Sequence, residues 1–548
     1  MRNHLILLLL PLISCGMEKK EADLVVHHAT IYLLDESFST AEAFAADNGR
    51  IVETGSEEAI LGKYRGKLIL DLEGRYVYPG LTDAHCHFTG YGLSLRQADL
   101  SGTRSFDEVI DRLKEHQLKH RSSWVLGRGW DQNDWYVKEW PTRDKLDESF
   151  PDIPVLIRRI DGHAALVNEA AIRQAGLTTA STIKGGALLV ENGQLTGILI
   201  DNAVDLVGNI IPDPDTEEIR QSLLNAQENC FSVGLTSVHD AGLDAATIDL
   251  IDEMNKSGLL KIRIYAMLSA GRENFEKYMY RGIYQTDYLS VRSVKMYADG
   301  ALGSRGALML EPYSDDPGNY GLQLAEPEYL EKVCRDAFEY GYQVNTHCIG
   351  DAANRMVLDI YGKVLQGQND RRWRIEHAQI IHPEDIKKFG QFSVIPSVQP
   401  THATSDMYWA AGRIGAERLR GGYALRRLLD QNGWLPTGSD FPVENINPLH
   451  GFYAAVVRKD HEGYPEMGFQ TEDALSREQA LRAMTIWAAR AAFGEHVTGS
   501  LEPGKYADFI VTDKDLMTTD EKDILSIRIL ATFLDGKEVY RSPVLTGK

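Results

Sequence analysis

Residues 327–347 read PEYLEKVCRDAFEYGYQVNTH, and a helix and a strand lie end to end in them. Pro327 stands at a helix start, where its fixed φ and missing N–H cost nothing. Leu330, Val333, Cys334, Ala337 and Phe338 recur at i, i+3, i+4, i+7 and i+8, the apolar stripe of a helix packed on a core. Gly341 then supplies a residue free to turn left-handed and stop the helix. QVNTH follows directly as a strand that ends on His347. Strands that alternate with helices and finish on polar residues are the grammar of a parallel α/β sheet or barrel.

The same grammar runs outward in both directions. LTDAHCH (81–87), LTSVHD (235–240), IRIYAML (262–268), VRSVKMYAD (291–299), RWRIEH (372–377), FSVIPSVQ (392–399) and WLPTGSD (434–440) join YQVNTH (342–347) as strand candidates with polar residues at or near their C-terminal ends, which makes eight. WVLGRGWD, PVLIRRID and the hairpin-like GALLVENGQLTGILID would raise the count beyond eight, so residues of about 89–230 are assigned to an insertion after the first strand. The expected fold is α/β: a (β/α)8 TIM barrel over residues 81–495, with its active site at the C-terminal ends of the strands. Short alternating runs before it, including AFAADNGRIVETG with an Asn48-Gly49 turn, match β-rich runs after it, such as ADFIVTDKDL and ILATFLDGKEVYR. Residues 22–80 and 496–548 are therefore expected to pair into one small β-sandwich domain.

Composition narrows the function classes. With 548 residues, 43% hydrophobic and 25% charged, the chain can bury a large core. Its 58 basic and 79 acidic residues give a net charge of −21, which argues against a nucleic-acid partner. Five scattered cysteines, none in a CxxC pair, build no disulfide framework. At the front, Arg2, nine residues from Leu5 to Ile13, and then LISC form a leader too short for a bilayer span of about 20 residues. LISC resembles a bacterial lipobox, which implies cleavage before Cys15 and lipid on that cysteine. The expectation is a soluble body in the bacterial cell envelope, its only membrane contact a lipid anchor. Gly16 after the cysteine points to the outer membrane.

His85 and His87 stand one residue apart on a strand, so their imidazoles are expected on one face. HxH alone is a weak signal. His347, His377 and Asp440 then end three further strands, and Lys295 lies within a fourth, where a buried amine is costly unless modified or paired. Together these six resemble the metal site of the amidohydrolase superfamily. GWDQNDW, LIRRIDGHAALVN, KMYADGALGSR, NTHCIGDAA, RIEHAQII, GSDFPVE and GSLEPGKYADFIV resemble the amidohydrolase family 3 branch over essentially the whole mature chain. Gly306, where that pattern more often has threonine, departs from it.

The resemblance implies a metal-dependent hydrolase that cleaves a non-peptide carbon–nitrogen bond of a small-molecule amide or cyclic amide through metal-bound hydroxide. His85, His87, Lys295, His347, His377 and Asp440 would hold one or two divalent ions, zinc being suited to imidazole and carboxylate. Lys295 would bridge two ions if N6-carboxylated by CO2; unmodified, it favours a single ion. Asp440 would be the catalytic general base. An ester or cyclic-imide hydrolase on the same site, and a tethered binding protein without catalysis, are the alternatives. For substrate contacts, His163 and Asp131 in the insertion either reach over the barrel mouth as part of a lid or form a polar network of the insertion itself. Arg305 either clamps a carbonyl or carboxylate or closes a loop salt bridge, and His402 is a further contact candidate. Trp124, Trp130, Trp135, Tyr136 and Trp140 read foremost as the insertion's own core.

Overall fold

A computed structural model describes residues 19–543, apart from 160–163, 184–185, 202 and 304. The leader, Cys15 and His163 lie outside the described residues. The chain divides into two compact units: Met1–Cys86 with Glu228–Asp249 and Lys261–Lys548, and His87–Gln227 with Leu250–Leu260.

The first unit contains the barrel. Its strands are β1 (Leu81–Cys86), β2 (Leu235–Leu243), β3 (Arg263–Ser269), β4 (Leu289–Tyr297), β5 (Gln343–Cys348), β6 (Arg374–His377) and β7 (Ile395–Ser397). All neighbours in the path from β7 through β1 are parallel. The expected eighth strand, ending at Asp440, is not a regular one. Residues 436–440 nevertheless bond to both edges: Val398 N to Pro436 O (3.3 Å) and Gly438 N to Val398 O (3.1 Å) on one side, Ala84 N to Thr437 O (3.1 Å) and Asp440 N to His85 O (2.8 Å) on the other. Pro436 has no N–H to give a ladder, which is why this run closes the barrel without forming a strand of the usual pattern. At Gly438 the closure is tight, because a Cβ there would lie 2.4 Å from His85 N and 2.7 Å from His85 O.

The helix expected before β5 spans Pro327–Tyr340, buries Leu330, Val333, Cys334 and Ala337, and ends at Gly341 with φ 73°. Phe338 is 37% exposed, at the edge of that stripe.

Both chain ends build one eight-stranded mixed sheet, in which Lys20–Tyr32 runs parallel to Tyr64–Pro79 and Phe509–Thr512 runs antiparallel to the end of the latter. Asn48 (φ 49°) and Gly49 (φ 75°) make the tight turn between Ala43–Asp47 and Arg50–Gly55. Phe44 packs edge-on against Phe509 at 5.3 Å although three strand steps, roughly 14 Å in a flat sheet, separate them. The sheet is thus curled over a shared core of Leu24, Val26, Val77, Phe509 and Phe533, as in a sandwich. Arg263, at the start of β3, ties it to the barrel: the guanidinium pairs with Asp508 (2.7 Å) and with Asp535, and stacks on Tyr506.

The second unit has its own six-stranded sheet, which runs from Gln97–Asp99 through Val125–Trp130, Val155–Arg159 and Ala164–Val167 to the hairpin Gly186–Glu191 and Gln194–Asp201. Trp130 and Trp135 sit in its core with Leu100, Val109 and Phe150. Trp124 is buried in a second cluster of that unit, whereas Tyr136 and Trp140 are exposed.

Candidate metal centre

The barrel lumen is unusually polar. Barrels of this class are commonly filled with layers of Val, Ile and Leu, but here the odd-numbered residues of β2 to β5 bring Ser237, His239, Tyr265, Ser293, Lys295, Gln343 and Asn345 inward, all buried or nearly so. β1 adds Asp83 and His85 on one face, and β6 adds Arg374 and Glu376.

At the C-terminal ends, the ligand atoms of His85, His377 and Asp440 all lie within 4.8 Å of one another. Asp440 Oδ1 is 3.5 Å from His85 Nε2, and Lys295 Nζ is 3.3 Å from the same nitrogen. His347 closes the group, its ring 4.5 Å from that of His377, which is itself 4.8 Å from the ring of His85. His402 stacks on His377 at 5.9 Å and brings Nε2 to 3.9 Å from Asp440 Oδ2.

Supports hold His85, His377 and the run before Asp440 in place. The Nδ1 of His85 meets Glu376 Oε2 at 2.5 Å, and that of His377 meets Gln399 Oε1 at 2.6 Å, which turns both Nε2 atoms toward the group. Asp83 accepts from Ser439 Oγ (2.6 Å), Ser439 N (3.0 Å) and His85 N (3.1 Å), and so clips the run before Asp440 to β1. Asp299 accepts the N–H groups of Leu308, Ile349 and Gly350, and Oδ1 is 3.8 Å from His347 Nε2.

Electrostatics follow from burial. Desolvation, with the Lys295 charge second, lowers His85 to about 4 and His347 to about 3, and His377 is also held well below the ordinary imidazole value. Burial likewise brings the Lys295 amine down to about 8, against the pull of Glu376 and Asp440. The imidazoles are therefore neutral and ready to coordinate. Among the described residues, the buried Nε2 atoms of His347 and His402 have no hydrogen-bond partner, a pattern left when a group is shaped for something it does not itself contain. Imidazoles and a carboxylate suit a divalent ion of zinc type.

β1 ends at Cys86, and His87 follows it at the N-cap position of the short helix Phe88–Ser94. Asp131 pairs with Arg159 at 2.6 Å within that unit. Arg305 is taken up by Asp315 through two bonds of 3.0 and 2.9 Å, a loop salt bridge. Glu376, Arg374, Gln399, Asp83 and Asp299 escaped the sequence reading, although Asp83 shares the face of His85 by strand period alone.

The sequence profile described as "Amidohydrolase family" matches residues 68–540. The chain belongs to amidohydrolase family 3. It is 36% identical to Protein LONG AFTER FAR-RED 3 of Arabidopsis thaliana over 95% of this chain and 92% of that one. To the N-substituted formamide deformylase of Arthrobacter pascens it is 24% identical, over 94% and 97%. Among solved structures, an uncharacterized metal-dependent hydrolase from Pyrococcus horikoshii superposes with a TM-score of 0.75 at 29% identity, covering 91% of this chain and 99% of that one. This amidohydrolase is thus a hydrolase by family, and His85, His377 and Asp440 form its buried candidate metal site.

Proposed function

We propose that this amidohydrolase cleaves a non-peptide carbon–nitrogen bond, an amide or cyclic amide, of a small molecule, with one or two divalent ions held by His85, His87, His347, His377, Asp440 and Lys295. The observation that carries the reading is the buried convergence of His85, His377 and Asp440 with Lys295 3.3 Å from His85. The formamide deformylase named among its relatives supports the choice of bond.

A zinc-type ion bound there would bring the pKa of a water to about 7 and polarise a carbonyl oxygen. The chain's own residues supply the rest. Asp440 takes a proton from the attacking water and hands it to the departing nitrogen, which must leave as an amine because an amide anion is a very poor leaving group. His402, whose Nε2 lies 3.9 Å from Asp440 Oδ2, is placed to offer a ring N–H to the oxygen on which charge develops. The Lys295 amine, brought down to about 8, has a neutral fraction that can add CO2: a nitrogen–carbon bond forms, one proton leaves, and an anionic oxygen ligand results. Arg2, the Leu5–Ile13 run and LISC further support lipid attachment at Cys15 in a bacterial envelope.

The test is a zinc-loaded preparation against a panel of N-substituted formamides, N-acyl amines, cyclic amides, imides and esters. Release of amine that stops on chelation and returns with Zn2+ is the expected result. Full activity in a demonstrably metal-free sample, or activity on esters alone, overturns the reading.

A further inference from the structure

We propose that Arg374 and Glu376 are a positioning pair that fixes which ring nitrogen of His85 carries the proton, and thereby sets the affinity of the centre for its ion. The proposal rests on the metal-site reading above.

Both side chains are fully buried inside the barrel. Glu376 Oε2 lies 2.5 Å from His85 Nδ1, while Oε1 lies 2.7 Å from Arg374 Nε. The guanidinium is anchored to three other strands besides its own: it donates to Ala84 O on β1 (2.6 Å) and Ser397 Oγ on β7 (3.0 Å), and Nη1 is 3.1 Å from His239 Nδ1 on β2. An ion pair in such a place is a poor device for stability, since well-packed apolar residues of the same volume commonly serve as well or better. A different task accounts for it. An ionised carboxylate can only accept, so His85 must carry its proton on Nδ1 and present the Nε2 lone pair. That Nε2 is the atom 3.3 Å from Lys295 and 3.5 Å from Asp440. Arg374 Nε faces the second carboxylate oxygen as an ion pair without hydrogen-bond geometry, which favours the charge on Glu376 and leaves the other oxygen aimed at the ring. Without the pair, a buried His85 is free to take either tautomer, and one of the two points an N–H at the ion.

The experiment uses the full chain and Zn2+ alone, with affinity measured by equilibrium dialysis against a chelator buffer. Glu376→Gln strands a buried guanidinium, so the double variant Arg374→Met/Glu376→Gln, which removes both charges, is measured beside it. Partners behind a metal-ligating histidine are typically worth about 10- to 100-fold in affinity, and a loss of that size is expected in both variants. Turnover at saturating Zn2+ should fall less than the affinity does. Spectra of 15N-histidine-labelled, metal-free protein supply a readout that a merely structural role would not move: one Nδ1–H tautomer at His85 in the wild type, a mixture in the variants. A folded double variant with wild-type Zn2+ affinity and a single His85 tautomer overturns the proposal and leaves the metal-site reading standing. A wild-type chain that takes up no Zn2+ overturns both.

Discussion

Asp440→Asn separates holding an ion from moving a proton. The backbone at Asp440 is left-handed, φ 62°, a conformation asparagine tolerates better than most residues. The bond from its N–H to His85 O, 2.8 Å, needs no side chain and survives the change. The two carboxylate oxygens face different partners, Oδ1 toward His85 Nε2 at 3.5 Å and Oδ2 toward His402 Nε2 at 3.9 Å. Asparagine keeps one oxygen, which by amide orientation can take the ion side, and puts an NH2 where the second oxygen stood. That group cannot accept a proton. General acid–base transfer is commonly worth about 10²- to 10⁴-fold, which at ~1.36 kcal/mol per decade is roughly 2.7–5.5 kcal/mol of barrier. kcat on the best amide of the panel should fall by at least about 100-fold, while zinc measured at saturating Zn2+ stays near the wild-type stoichiometry. A variant that carries its zinc and turns over within tenfold of wild type would refute the role and leave His402 as the candidate proton carrier.

Three further expectations follow from the same structure. Gly438→Ala puts a Cβ 2.4 Å from His85 N and 2.6 Å from Asp83 Oδ1; backbone cannot yield as a side chain would, so a loss of about 1–3 kcal/mol in urea unfolding, the usual cost of overpacking, should accompany reduced zinc uptake. The depressed imidazoles set the sign of a pH effect: with His85 near 4 and His347 near 3, protons compete with the ion only at low pH. Zinc retained after dialysis should therefore match at pH 7.5 and 5.5 and fall between about 5 and 3, whereas loss beginning at the ordinary histidine value of about 6.5 would contradict the burial argument. Cys15→Ser should release the protein from the membrane fraction of an expressing bacterium, and an unchanged membrane share counts against the lipid anchor.

How far the sequence reached depends on which physical signal each feature leaves. Helix 327–340 and the Asn48-Gly49 turn were legible because a 3.6-residue stripe and a left-handed dipeptide are local signals. His347, His377 and Asp440 were legible as ligand-type residues at strand ends, since barrels expose those ends. The Arg374–Glu376 pair left a fainter mark. RIEH shows its last residue as a strand-end ligand type, and the two charges at alternate positions before it gain meaning only once eight runs close around them and bury both side chains. The eighth run was read as a strand from its position, but Pro436 and Gly438 deny it a regular ladder and fit it to close contact with β1 instead.

Strand periodicity would also have aimed one of these ligands the wrong way. On β6, Arg374 and Glu376 face the lumen, so strict alternation sends His377 outward toward the helices. It is turned into the mouth because its own φ is 71° and that of Ala378 is 44°. Asp440 is delivered by the same device at 62°. Each left-handed residue costs roughly 1–2 kcal/mol, and such strain survives only where neighbours over-determine the geometry. Here they do: Gln399 holds the His377 ring at 2.6 Å, and Asp83 grips Ser439 while His85 O takes the Asp440 N–H. Two of the three members of the buried group thus owe their direction to backbone reversals at strand ends, and the side chains that hold those reversals in place are the ones a reading for metal ligands passes over.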